Sequence, residues 1–242
     1  MTDAQYDDPV FFGRYQQMRL ERSGLNEDLE QPALARLLPQ VVDADVLDIG
    51  CGDGTLARFL AGHGARHVLG IDPSRRMLAI AASHRSPRVR YCRASAESFA
   101  LAPCSVNLVV SSLALHYVAD YQQLVRRVAQ WLRPGGHLIY SVEHPIGTAR
   151  NPMTGWHECD GDRHWPVDNY ADEAPRVQSW LGGQVTKHHR RITTLISAII
   201  ASGLALSGID EPYPDHASLV RRPDLADHRR RPPLLIVAAR KL

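Results

Sequence analysis

Apolar residues along this chain alternate between two spacings, and the changes of spacing divide it into strands and helices. Val46, Leu47 and Ile49 make a short apolar run that enters the glycine-rich segment Gly50-Cys51-Gly52-Asp53-Gly54. Beyond that segment Leu56, Phe59 and Leu60 recur at helical spacing. A second strand closes on Gly70-Ile71-Asp72, and Ser74 is placed to cap a helix that turns Met77, Leu78 and Ala81 inward. Further strands are expected at about 89–92 and 106–111. Asp120 then caps a helix whose Tyr121, Leu124, Val125, Val128, Trp131 and Leu132 keep the helical period. Pro134-Gly135-Gly136 ends it and releases a fifth strand at about 137–142. Such alternation predicts an α/β fold, a doubly wound and mostly parallel sheet with helices on both faces.

The flanks depart from this rhythm. Residues 1–44 read as an N-terminal helical cap with Phe11, Phe12, Tyr15, Met18 and Arg19 on one face. That face either packs on the core or closes over a ligand. After the fifth strand, residues 144–184 are rich in Pro, Gly, Trp, His and Asp and show no helical period. So long an irregular segment in a compact domain is commonly an active-site lid, here expected over 146–190. Alternation resumes with Leu195, Ile196, Ile199 and Ile200 on one helix face and Gly203 as its stop. Segments 204–209 and 234–239 bring the sheet to seven strands. The expected organisation is one domain over 1–242: cap 1–44, ligand-binding core 45–145, lid 146–190, and a closing helix and strands over 191–242.

Composition narrows the class. The 242 residues carry a formal charge of +2, so nothing demands a polyanionic partner. The run His228-Arg229-Arg230-Arg231-Pro232-Pro233 is expected to be a solvated basic loop rather than a nucleic-acid patch. Cys51, Cys92, Cys104 and Cys159 lack C-x-x-C spacing and suit the reduced thiols of a cytoplasmic protein. Met1 to Val10 carries three aspartates and no signal-like pattern, and no apolar run reaches membrane-spanning length. A soluble protein with no membrane partner is expected, as a monomer or homodimer.

The chemistry concentrates at the first turn. Glycines there permit positive φ and the approach of a ligand with no Cβ in the way. A carboxylate at the tip of the next strand, Asp72, is placed to accept from both hydroxyls of a ribose. The glycines fall as G-x-G-x-G, not the dinucleotide G-x-G-x-x-G, and Asp48 and Asp53 flank them. Two carboxylates suit an ammonium or sulfonium better than a pyrophosphate. With Ser95-Ala96-Glu97 after the third strand, Ser111-Ser112-Leu113-Ala114-Leu115-His116-Tyr117 after the fourth and Leu132-Arg133-Pro134-Gly135-Gly136 before the fifth, the chain from about Val46 to Pro145 resembles the class I S-adenosylmethionine-dependent methyltransferases. One departure is Asn107, where that family usually has Asp.

The resemblance implies S-adenosyl-L-methionine as cofactor and a Rossmann-like methyltransferase fold. Asp72 would hold the ribose, Pro73 and Met77 the adenine face, and Ala96 with Glu97 the adenine edge. Asp48 and the backbone of Gly50, Gly52 and Ser111 would surround the ammonium, with Tyr15 closing above and Arg19 pairing the cofactor carboxylate. For the acceptor, expected to be a small molecule methylated on O or N, His116 and His144 are the candidate catalytic bases. Glu143, Trp165, Tyr170 and His189 are the candidate substrate-facing residues. His157, Glu158, Asp160, Asp162, His164 and Asp168 crowd the insertion without a known metal spacing, so no metal is expected. An RNA or protein methyltransferase, a dinucleotide-dependent oxidoreductase and a non-catalytic nucleoside-cofactor-binding protein remain as alternatives.

Overall fold

The computed structural model describes residues 4–21 and 23–242; the parts of the expected cap at 1–3 and 22 lie outside them. Strands β1 (Asp45–Ile49), β2 (His67–Asp72), β3 (Val89–Arg93), β4 (Val106–Ser111), β5 (Leu132–Glu143), β10 (Leu204–Asp210) and β11 (Leu234–Lys241) form the seven-stranded sheet. Between β5 and β10 the insertion adds β6 (His157–Cys159), β7 (Asp162–His164), β8 (Pro175–Trp180) and β9 (Gly183–His188). The sheet order is β10-β11-β5-β4-β1-β2-β3, with β11 antiparallel to both its neighbours and every other pairing parallel. The chain therefore runs outward through β2 and β3 on one side of β1 and through β5 on the other side of β4. The crevice at the carboxyl ends of β1 and β4 is where an open α/β sheet takes its ligand.

The helices are α1 (Ala4–Asp7), α2 (Pro9–Leu20), α3 (Gln31–Leu37), α4 (Thr55–Gly62), α5 (Arg75–Ser83), α6 (Tyr121–Trp131), α7 (Pro145–Thr148), α8 (Ile192–Ala201) and α9 (His216–Arg221). Two apolar layers hold them to the sheet. Alternate strand residues Leu47, Ile49, Val109, Leu138 and Tyr140 pack with Leu124, Val128, Leu195 and Ile199 of α6 and α8. Their neighbours Val46, Val68, Leu108, Val110 and Ile139 pack with Leu34, Ala57 and Leu60 of α3 and α4. Asp8, Ser74 and Asp120 cap α2, α5 and α6, each accepting from backbone N–H groups of the first turn. No helix among the described residues is long and apolar enough to cross a membrane.

Three expectations change in detail. Pro134-Gly135-Gly136 does not precede the fifth strand but bulges within it: Val106 pairs with Leu132 and Leu108 with His137. A Cβ on Gly136 would lie 2.9 Å from the Arg133 carbonyl and 3.0 Å from that of Asn107, which explains the glycine. Asn107 itself accepts from the Asp45 backbone N–H at 3.0 Å and from Arg133 at 2.6 Å. Its neutral amide joins the starts of β1 and β4, and it does not line the cleft, so no charge is required of it there. The insertion is the third case. Residues 144–184 are not irregular throughout, because β6–β7 and β8–β9 are antiparallel hairpins. Leu181 and Gly182 form the two-residue turn of the second, both at positive φ (50° and 75°), which matches the twist of the strands they join.

Candidate functional site

A cavity of about 720 Å³ opens at the carboxyl ends of β1 and β4. Its floor is the glycine turn. Gly50 sits at φ +72°, and any Cβ there would collide with Ala114. Gly52 sits at φ +53° with nothing within 4 Å of a would-be Cβ, so its bare face meets open space in the cavity. Asp72 ties the turn to the second strand: one carboxylate oxygen accepts from Gly52 N–H at 2.9 Å and the other from Ser74 N–H at 2.8 Å. A carboxylate oxygen can accept more than one hydrogen bond, so ribose binding and turn bracing are compatible roles.

Asp48 is the electrostatic oddity. It lines the cavity, is 1 % exposed, and among the described residues has no hydrogen-bond partner on either oxygen. Burial, then the charges of Asp72, Glu30 and Asp53, push its carboxyl up to about 8. A buried polar group left unpaired is costly, and a cationic ligand would relieve both the burial and the repulsion. An ammonium beside a glycine turn, with its ribose on Asp72, fits this donor and acceptor set; a pyrophosphate does not.

Helices α1 and α2 and the β8–β9 hairpin of the insertion meet above. Tyr6 stands edge-on to Phe11 and Tyr15 at 5.1 and 5.3 Å, and Trp180 of β8 stands edge-on to Phe11 and Tyr15 at 5.6 and 6.1 Å. Arg14 donates to the Leu181 carbonyl at 3.3 Å, locking α2 to the hairpin turn. Tyr15, Arg19, Asp48, Gly50, Gly52, Asp72, Pro73 and Met77 all line the cavity. Arg19 stands 3.3 Å from Glu27 and is thus partnered within the cap. Ala96, Glu97 and Ser111 do not reach the cavity wall. The carbonyls of Ala96 and Glu97 accept from Arg127 at 3.4 and 2.6 Å, and the Ser111 hydroxyl donates to the Ile49 carbonyl at 2.7 Å.

At the lid end, His116, Glu143 and Trp165 line the cavity as expected. His116 is held low, at about 4, chiefly by burial, with Lys187 and Arg190 adding repulsion and Glu143 opposing. Its Nδ1 accepts from the Glu143 backbone N–H at 3.4 Å, so the neutral ring keeps its proton on Nε2. In that form the ring is a weak base. The Glu143 carboxylate would be raised by burial, but Lys187 and then His116 hold it below the ordinary range. Lys187, 2 % exposed, donates to Glu143 and to Gln178 Oε1.

Three sequence candidates are used elsewhere. His144 lies outside the cavity wall, where its Nδ1 accepts from Ile146 N–H at 3.1 Å to cap α7 and its Nε2 pairs with Glu211 at 2.8 Å. His189 bridges Thr148 at 2.8 Å and the Tyr170 carbonyl at 3.0 Å. The Tyr170 hydroxyl accepts from Ile192 N–H at 3.1 Å, anchoring the insertion to α8. The basic run is exposed at Arg229 and Arg230, as expected, although Arg230 also lies over Trp156 at 4.6 Å; Arg231 differs, being half-buried over Trp165 of the insertion at 3.7 Å. Sequence reading missed Lys187, Gln178, Trp180, Tyr117 and Arg231 as cavity-lining residues; Trp180, an aromatic in the insertion, and Tyr117, next to His116 in the segment after β4, carried signals that would have found them.

Comparison with known proteins agrees with this geometry. The model of the family described as "Methyltransferase domain" matches residues 46–136. An S-adenosylmethionine-dependent methyltransferase from Mesorhizobium loti superposes with a TM-score of 0.85 at 43 % identity, over 90 % of this chain and 100 % of that one. The ubiquinone biosynthesis O-methyltransferase of Aromatoleum aromaticum is 41 % identical over 101 residues, which are 40 % of this chain and 43 % of that protein. The trans-aconitate 2-methyltransferase of Deinococcus radiodurans is 33 % identical over 130 residues, 53 % of this chain and 47 % of that one. The chain thus spans about half the length of these two relatives or less. The protein belongs to the S-adenosylmethionine-dependent methyltransferases, and S-adenosylmethionine is its cofactor.

Proposed function

We propose that this enzyme moves a methyl group from S-adenosylmethionine to an oxygen or nitrogen of a small-molecule acceptor held under the lid. The observation that carries the reading is the continuity of one roofed cavity, from the orphaned Asp48 carboxylate at the glycine turn to His116, Glu143 and Trp165 at the lid end. The two relatives named for ubiquinone biosynthesis and for trans-aconitate support an acceptor of small size.

When bound, the cofactor supplies a methyl carbon made electrophilic by its sulfonium. Asp48 would neutralise the ammonium, Asp72 would fix the ribose, and Met77 with Pro73 would cover the adenine. Tyr6, Tyr15, Tyr117 and Trp180 would exclude water. An acceptor lone pair would form the new bond to that carbon as its bond to sulfur broke, and since the departing thioether would be neutral, the site needs to supply no acid. Alignment in such an enclosed site is worth up to roughly 7–11 kcal/mol. His116 presents Nε2–H as a donor that orients the acceptor, and neither His116 nor the Lys187-paired Glu143 is a strong base at rest. The site therefore suits an acceptor that arrives already nucleophilic or ionised. The contacts of Arg231 with Trp165 and of Arg230 with Trp156 draw two cations of the basic run toward the insertion, which supports a small acceptor over an RNA. The test is a panel of hydroxylated and amino metabolites assayed for S-adenosylhomocysteine release. Release with a small acceptor is expected; turnover with RNA or protein alone would overturn the reading.

A further inference from the structure

The lid end of the cavity carries two cations, Lys187 and Arg231, against one carboxylate, Glu143. Its titratable lining is Lys187, Arg231, Glu143 and the neutral His116. Lys187 is consumed by Glu143 and Gln178, its Nζ also facing the Trp180 ring at 5.6 Å. One anion is thus spent on one of two cations. Arg231 is left over: among the described residues it forms no ion pair, its Nε is buried with no partner, and its one hydrogen bond is a 3.5 Å contact to the Pro232 carbonyl.

The surroundings make that guanidinium a fixed feature. Its central carbon lies 3.7 Å from the centre of the Trp165 ring, and Trp165 is itself pinned by Nε1–H donating to the Ile146 carbonyl at 3.2 Å and by an edge contact to Trp156 at 5.5 Å. Glu143 and then Asp227 act on Arg231 through space, but Glu143 is paired with Lys187 and Asp227 is engaged by Arg163 at 2.5 Å and lies 4.0 Å from Arg230. Half-burial already weighs against the charge, so a partner of opposite sign is the missing element. Arginine stacked on an aromatic and open along its edge is the usual receptor for a planar carboxylate, which it meets with two parallel N–H donors. The opposite end of the cavity carries the Asp53 and Asp72 carboxylates, which repel the same group.

Building on the methyltransferase reading above, we infer that the acceptor is a small carboxylic acid whose carboxylate is anchored by Arg231, stacked on Trp165, while His116 faces the atom to be methylated. The arrangement selects against the neutral amide or ester of the same acid, because these leave the guanidinium unpaired.

The test uses the full-length protein saturated with S-adenosylhomocysteine, titrated calorimetrically with a panel of aromatic hydroxy acids and aliphatic di- and tricarboxylic acids. Each acid is paired with its primary amide. At least one acid is expected to bind 10-fold or more tighter than its amide, the scale of one charge-assisted contact. Arg231→Gln should abolish that preference and Arg231→Lys restore part of it, both with S-adenosylhomocysteine affinity within about 2-fold of wild type, a margin well below one lost hydrogen bond. No acid preferred over its amide anywhere in the panel would overturn the inference. So would loss of S-adenosylhomocysteine binding in Arg231→Gln, which would assign the guanidinium to the cofactor. Failure of the wild-type protein to bind S-adenosylhomocysteine at all would instead strike the methyltransferase reading beneath it.

Discussion

Cofactor binding to this cleft is expected to expel a proton, because the Asp48 carboxyl is uncharged in the ligand-free protein at neutral pH. Burial and the neighbouring Asp72, Glu30 and Asp53 carry it from an ordinary 3.8 to about 8. The folded state thus holds this proton more tightly than the unfolded chain. Between about pH 4 and pH 8 it binds one proton more, and stability falls as pH rises through that window. At pH 6.5 the accumulated loss is about 3–4 kcal/mol relative to pH below 4. A cation set against both unpaired oxygens reverses the preference and drives the group to its charged form. The ligand's own α-amino group, with a pKa of about 7.7–8.0, is already charged at pH 6.5. Titration with S-adenosylhomocysteine in buffers of different ionisation enthalpy should therefore report release of about one proton per protein. Asp48→Asn should abolish the release, flatten the stability slope between pH 4 and 8 by one proton, and weaken binding about 10-fold or more. Buffer-independent heats in the wild type, or an unchanged release in Asp48→Asn, would refute the reasoning.

Other variants separate holding the cofactor from holding the lid. Asp72→Ala should weaken S-adenosylhomocysteine binding by about 10–100-fold, since it removes charge-assisted acceptors for Gly52 N–H and for the ribose; calorimetry checks it, and unchanged affinity would remove Asp72 from the site. His116→Ala should slow turnover with near-normal cofactor affinity, and an unaltered methylation rate would reject His116 as an orienting donor. The same histidine makes the fold acid-sensitive. Its folded pKa of about 4 lies below the ordinary 6.5, so stability holds above pH 6.5 and falls by about 3 kcal/mol as pH drops through 4, and acid-unfolding curves of His116→Ala should lose that component. Arg176→Met should loosen the insertion alone. The buried guanidinium donates to the carbonyls of Ala149, Asp172 and Ala174 at 2.6–3.2 Å, so proteolysis within 149–174 should speed up while cofactor affinity stays.

The sheet and the glycine-turn part of the site were legible because each is written locally, whereas Ala96, Glu97 and Ser111 stand back from the cavity wall. The first strand, its glycines and Asp72 lie within 27 residues of one another, and periodicity fixes which face of α6 meets the core; on α8 it places Leu195 and Ile199 correctly but not Ile200, which is exposed while Ala198 is buried. The lid end was not legible. In β8–β9 only Val177 and Val185 mark the strand alternation amid polar neighbours, and the hairpin turn places a leucine at positive φ, against its propensity. Lys187 and Arg176 are buried charges whose partners, Glu143 and the Ala149 carbonyl, are 44 and 27 residues away. His144 and His189 look catalytic by residue type, yet they serve as a cap and a strut, which only their hydrogen bonds reveal. Arg231 reads as one of three solvated cations until Trp165 is found beneath it.

The most direct measurement is a crystal structure of the protein grown with S-adenosylhomocysteine. The ribose hydroxyls should lie on Asp72, the amino group beside Asp48, and the thioether should face His116 across an acceptor space roofed by Trp180. A cleft closed by packed side chains, or the ligand bound with its ribose away from Asp72, would contradict the account.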